Sequence, residues 1–208
     1  MQFTNYYLKI EKKILINNLN INFEEKNIHH LLGSNGVGKS CFAKSCVGMI
    51  NYEGEIQINN NIVLIGSYSN IPSDFRLKDI VKILNQKFDN DYIKHLYNLL
   101  KLYKVTSNIP LKKLSDGQRQ KIKLLAFLAT SPKIIILDEF TSALDKSSTL
   151  EIYDFIKTYV DSQNAICLNI THNLSDIEYL PGQYYYFSNK NIKRIETKEK
   201  LINLYMKG

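Results

Sequence analysis

Eight consecutive residues, Gly33-Ser34-Asn35-Gly36-Val37-Gly38-Lys39-Ser40, fit the pattern G-x-x-x-x-G-K-[S/T] at every fixed position. Glycines at 33, 36 and 38 allow a turn so tight that successive backbone N–H groups point into one hollow. Such a hollow suits phosphate oxygens. A helix opening at Lys39 would add partial positive charge at the same place. In a loop of this kind Lys39 reaches the β- and γ-phosphates of a nucleotide, and the Ser40 hydroxyl coordinates Mg²⁺. Ser34, Asn35, Val37 and Cys41 complete the cradle.

A second group of residues could act on what that cradle holds. Ile134-Ile135-Ile136-Leu137-Asp138-Glu139 is an apolar run ending in two acids. Asp138, at the tip of a buried strand, can hold the Mg²⁺ shell, and Glu139 can polarise an attacking water. A buried strand ending in solvated acids is common, so the run means little alone. Its position downstream of a phosphate-binding loop gives it weight.

Three further stretches carry a resemblance. Leu114-Ser115-Asp116-Gly117-Gln118 resembles the LSGGQ signature of the ABC-type (ATP-binding cassette) ATPases. Ser142-Ala143-Leu144-Asp145 is similar to that family's D-loop, and Thr171-His172 to its H-switch. With the glycine loop and the acidic strand they stand in family order and span nearly the whole chain. The resemblance implies ATP and Mg²⁺ as cofactors and hydrolysis of ATP to ADP and phosphate. It implies that two such subunits close head-to-tail on two ATP molecules. Ser115, Gly117 and Gln118 of one subunit would then face the γ-phosphate held by Lys39 of the other. His172 would contact that phosphate from the Lys39 side. Read singly, Ser115 is also a plain helix N-cap, Asp145 a turn residue and His172 a surface histidine.

The sequence departs from the family in three places. The usual glutamine after the strand at 62–65 is missing; Asn70 is the best positional match and Ser69 the next. Asn70 therefore joins Ser40 and Asp138 as an expected metal contact. Register from Ile14-Leu15 puts Ile10 where the family stacks adenine on an aromatic ring, and Tyr7 is the nearest aromatic candidate. The second signature position holds Asp116, which should point away from phosphate because an acid there would repel it.

These residues must be positioned by an alternation of strands and helices. Period-2 patterns at 2–10 and 14–23 predict antiparallel strands. Strands follow at 27–32, 55–58, 62–65, 134–137 and 165–170, with helices at 39–49, 116–129 and 149–160. A terminal hairpin (184–187 with 192–195) and an amphipathic helix at 198–206 close the chain. Helical periodicity over 77–104 marks an insert. The expected fold is α/β: a P-loop NTPase of ABC type with a mostly parallel sheet core, an N-terminal antiparallel β-subdomain and a helical insert at 72–113, all one domain over 1–208.

The bulk properties agree. The 208 residues are 44% hydrophobic and 23% charged, ordinary for a globular protein. The net charge of +7 comes from scattered lysines without a basic run, so nucleic acid is not an expected partner. Cys41, Cys46 and Cys167 have no metal-ligand spacing and read as small apolar residues. His29 and His30 read as strand residues, and the short asparagine run at 59–61 as a turn between strands. No apolar run approaches the roughly 18–20 residues that cross a bilayer. The resemblance then implies a peripheral subunit on the cytoplasmic face of a membrane. It would drive transport, more in the manner of exporters, through a separate membrane-spanning subunit that docks on the insert near Phe75 and Leu77. The second subunit could be a copy of itself or a relative. The alternative is a soluble ABC-type ATPase with a role such as cluster assembly. A coiled-coil DNA-repair type is excluded, because Lys39 and Ser115 lie too close in sequence to admit the long insert.

Overall fold

The computed structural model describes residues 1–58 and 60–207; Asn59 of the asparagine run and the terminal Gly208 lie outside the described residues. Two sheets organise the chain. The first is antiparallel, with β1 (Gln2–Ile10) between β2 (Lys13–Asn22) and β4 (Glu53–Gln57). The second has six strands in the order β5-β6-β7-β3-β8-β9. Here β3 is Asn27–Leu32, β5 Ile62–Gly66, β6 Ile134–Asp138, β7 Ile166–Ile170, β8 Gln183–Ser188 and β9 Asn191–Ile195. All its pairings are parallel except β8 with β9. The mostly parallel core and antiparallel subdomain expected from the sequence are both present.

Strand β6 shows how the sequence builds two cores from one sheet. Successive side chains of a strand point to opposite faces. Ile134 and Ile136 pack with Phe3, Tyr6, Leu31 and Phe42 on the side of the small sheet and helix α1 (Lys39–Cys46). Ile135 and Leu137 pack on the other side, against α4 (Asp116–Leu128) and α5 (Lys146–Gln163). Every residue of β6 is buried, which is why it reads as an unbroken apolar run.

The insert holds α2 (Leu77–Lys87) and α3 (Asn90–Leu99) with two 3₁₀ turns. Leu77, Ile80, Leu84, Ile93 and Leu96 are all buried in the larger core. The apolar stripe of α2 thus packs inward, and Leu77, expected at a docking surface, is instead a core residue. Phe75 and Ile83 remain exposed, at 39% and 40%. One helix escaped the sequence reading: α6 (Leu174–Tyr179), a short turn capped by Asn173. Helix α7 (Lys198–Lys207) packs Leu201 against Leu32 and Ile177.

Candidate functional site

In an open parallel sheet, ligands bind at the carboxyl ends of the strands. Strands β3, β6 and β7 are adjacent and in register, Leu31 beside Ile170 and Ile170 beside Asp138. Each ends in one of the expected groups: the glycine loop after Leu32, Asp138-Glu139 after Leu137, and Thr171-His172 after Ile170. Three segments distant in sequence are thereby brought to one edge.

The glycine loop is held by close packing. A Cβ on Gly33 would lie 2.5 Å from the Phe187 carbonyl on β8. Gly38 has φ 120°, and a Cβ there would also press on Leu15 at 3.0 Å. Lys39 opens α1 and is 6% exposed. Its ammonium donates to the Gly33 carbonyl at 2.7 Å and to the Ser34 carbonyl at 3.1 Å. Burial lowers its proton affinity, while nearby Glu139 and Asp138 oppose that shift. Lys13, from the β1–β2 hairpin, donates to the Gly36 carbonyl at 3.1 Å and ties the small sheet to the loop.

Asp138 is 4% exposed. Burial pushes its carboxyl above the ordinary aspartate range, and hydrogen bonds from Ser40 and Tyr68 pull it back. Its Oδ1 is buried and lacks a partner among the described residues. A divalent cation takes oxygen ligands of this kind, so Ser40 and Asp138 fit Mg²⁺. No group of three or more His, Cys, Asp or Glu side chains elsewhere among the described residues could hold a metal.

Glu139 adopts φ 53°, a left-handed conformation in which non-glycine residues are strained by about 1–3 kcal/mol. Its N–H donates to the Ile170 carbonyl at 2.9 Å, and Ser142 Oγ donates to its carbonyl at 2.9 Å. This kink turns the side chain toward His172, whose Nδ1 lies 3.2 Å from Glu139 Oε1. Both side chains are 42% exposed, open to a ligand arriving at the strand edge.

A cleft of about 410 Å³ adjoins the loop, walled by Ile10, Glu11, Lys13 and Leu15 on one side and Lys39, Ser40, Cys41 and Glu139 on the other. Tyr7 is not part of it. Tyr7 pairs with Glu53 on β4 and lines a separate cleft with Tyr52, whereas Ile10 sits at the end of the hairpin that meets the loop. Asn70 likewise does not reach Asp138. It is exposed and lines a cleft with Ile71, Ser73 and Lys123 at the edge of the insert. The loop residue on Asp138 is Tyr68, whose hydroxyl donates to Oδ2 at 3.3 Å. Sequence reasoning flagged this stretch for its missing glutamine but passed over Tyr68; the same reasoning gave no signal for Lys13.

The family model described as "ABC transporter" matches residues 16–142. This chain belongs to the ABC transporter family. It is 39% identical over 209 residues to the "Probable peptide export ATP-binding protein YydI" of Bacillus subtilis (strain 168), covering 99% of each chain. It is 28% identical over 183 residues to the "Lantibiotic transport ATP-binding protein SrtF" of Streptococcus pyogenes, covering 81% of this chain and 78% of that one. The solved structure of a nucleotide-free ATP-binding cassette from an ABC transporter has the same fold. It superposes with TM-score 0.80 at 16% identity over 97% of this chain and 94% of that one. The chain is thus an ATP-binding, ATP-hydrolysing subunit of an ABC transporter.

The family's signature stretch does not line the cleft beside the loop. Ser115 caps α4: its Oγ accepts from Gln118 N at 3.3 Å, and Gln118 Oε1 accepts from Ser115 N at 3.2 Å. Asp116 points to solvent and pairs with Arg119. Gly117 is buried against α5, where a Cβ would stand 2.2 Å from Ser148 Oγ. Ser148 in turn donates to Asp145, the cap of α5, through both its N–H and its hydroxyl. The signature and the D-loop are therefore linked through Ser148.

Behind the site lies a buried polar hub. Asp176 Oδ1 accepts from Thr141 Oγ1 at 2.7 Å and Tyr153 OH at 2.5 Å, and Oδ2 accepts from Asn169 Nδ2 at 3.1 Å. Asn169 also faces His30 Nδ1 at 3.2 Å, while His30 Nε2 lies 2.8 Å from the Leu180 carbonyl. A carbonyl only accepts, so Nε2 carries the proton and Nδ1 accepts.

Proposed function

We propose that this chain powers export of a peptide-class cargo through a separate membrane-spanning subunit. Two such ATP-binding subunits would close on two Mg²⁺–ATP molecules. The observation that carries this reading is the meeting of Lys39, Ser40, Asp138, Glu139 and His172 at one sheet edge. The full-length similarity to a protein named for peptide export supports the cargo class and the direction.

In this reading the glycine-loop N–H groups and Lys39 hold the phosphates. Lys39 would leave the Gly33 and Ser34 carbonyls for phosphate oxygens. Ser40 and Asp138 would hold Mg²⁺, which supplies charge neutralisation on the phosphates. Glu139 accepts the proton of the attacking water, and His172, whose Nδ1 lies 3.2 Å from Glu139 Oε1, orients it against the γ-phosphate. Ser115 and Gln118 do not line the cleft beside Lys39, which agrees with a site completed by a second subunit. Among the described residues no helix is long and apolar enough to cross a membrane, so the channel would belong to the partner. The cleft of Asn70, Ile71 and Ser73, with exposed Phe75 close in sequence, is the place for that partner to grip. The chain would then sit peripherally on the cytoplasmic face.

Glu139→Gln tests the reading. It should bind ATP with unchanged affinity, lose at least about 10²-fold in turnover and accumulate an ATP-bound dimer in light scattering. A monomeric and fully active variant would refute the assignment of the base.

A further inference from the structure

The turn that follows β5 brings a phenol to the acid strand. Gly66, the last residue of β5, pairs in register with Asp138. Two residues on, Tyr68 folds back so that its hydroxyl donates to Asp138 Oδ2 at 3.3 Å. The ring is held on two sides. Lys44 Nζ stands over it at 4.7 Å from the centroid. Gly66 lies so close beneath that a Cβ there would sit 2.9 Å from the ring.

Ser69 closes the turn. Its Oγ accepts from Gly66 N at 3.1 Å and donates to the Leu64 carbonyl at 3.2 Å, and its own N–H donates to the Gly66 carbonyl at 3.1 Å. Tyr68 is therefore presented by a stapled turn and not by a loose loop. The other carboxylate oxygen, Asp138 Oδ1, is buried and has no hydrogen-bond partner among the described residues.

We propose that Tyr68 is a positioning residue for the Mg²⁺ of the bound nucleotide, its hydroxyl fixing one oxygen of Asp138 so that the other faces the ion or the ion's water. This rests on the ATPase reading given above. A hydrogen bond to one carboxylate oxygen restrains rotation about the last torsion of the side chain, and such outer partners govern metal affinity. Asn70, two residues on, lines the cleft at the insert, and the side chain that meets Asp138 from this turn is the phenol of Tyr68.

Tyr68→Phe isolates the hydroxyl, since the ring and its contacts with Lys44 and Gly66 remain. Binding of a fluorescent ATP analogue to the full chain is titrated with Mg²⁺, and repeated in EDTA. The Mg²⁺ concentration for half-maximal binding should rise by about tenfold or more. Affinity in EDTA should equal that of the wild type. An unchanged Mg²⁺ requirement overturns the proposal, and so does equal weakening with and without Mg²⁺, which would mark a merely structural tyrosine. A wild-type chain that binds the analogue with no regard to Mg²⁺ would instead refute the underlying site.

Discussion

Lys39 is a buried cation with no acidic side chain in direct contact, resting on two backbone carbonyls. Removing it should abolish nucleotide binding while sparing the fold. Lys39→Ala is expected to weaken MgATP binding by at least about 100-fold in calorimetry at matched salt, the scale of lost hydrogen bonds to charged groups. The loop and the acidic pair were legible because their chemistry dictates residue type and spacing. A phosphate cradle needs glycine at fixed offsets, and a strand tip needs its acids in sequence. Tyr7, Asn70 and Tyr68 were not legible in that way. Stacking and metal positioning depend on where a hairpin or turn points a side chain, and β1 carries register shifts that no periodicity reveals. Hairpin geometry, not chemistry, sets Ile10 and not Tyr7 in the cleft beside the loop.

At the scale of elements, the hub at Asp176 matters most. It joins α6 to β7 through Asn169, to α5 through Tyr153 and to the segment after Glu139 through Thr141. Those elements carry His172 and Glu139. Asp176→Ala would leave three buried donors without an acceptor. It should lower unfolding free energy by about 3 kcal/mol or more in urea titration, and turnover should fall further than ATP affinity. The strands and long helices of this arrangement could be read from periodicity, and their boundaries fell within a few residues of those observed. The hub could not. Asp176 lies on a single short turn with no period, and its partners come from positions 141, 153 and 169. The apolar stripe of α2 misled for a related reason: a helix stripe reports that a face is covered, not what covers it.

The whole molecule carries two neutral buried histidines, His29 and His30, each pushed down by burial to about 4. In the unfolded chain a histidine titrates near about 6.5. Between these values the unfolded state binds protons that the folded state refuses. Stability should be full above about pH 6.5 and fall progressively toward about pH 4, by up to roughly 3 kcal/mol per histidine. Urea midpoints taken from pH 7 down to 4.5 will check the direction. The same sheet that buries these rings also decides how the protein comes apart. Because consecutive residues of β6 belong alternately to the two cores, neither core owns the strand. Loosening one half strips the other of a wall, so the halves are expected to share a single fate in denaturant, although the chain is drawn as two sheets and an insert.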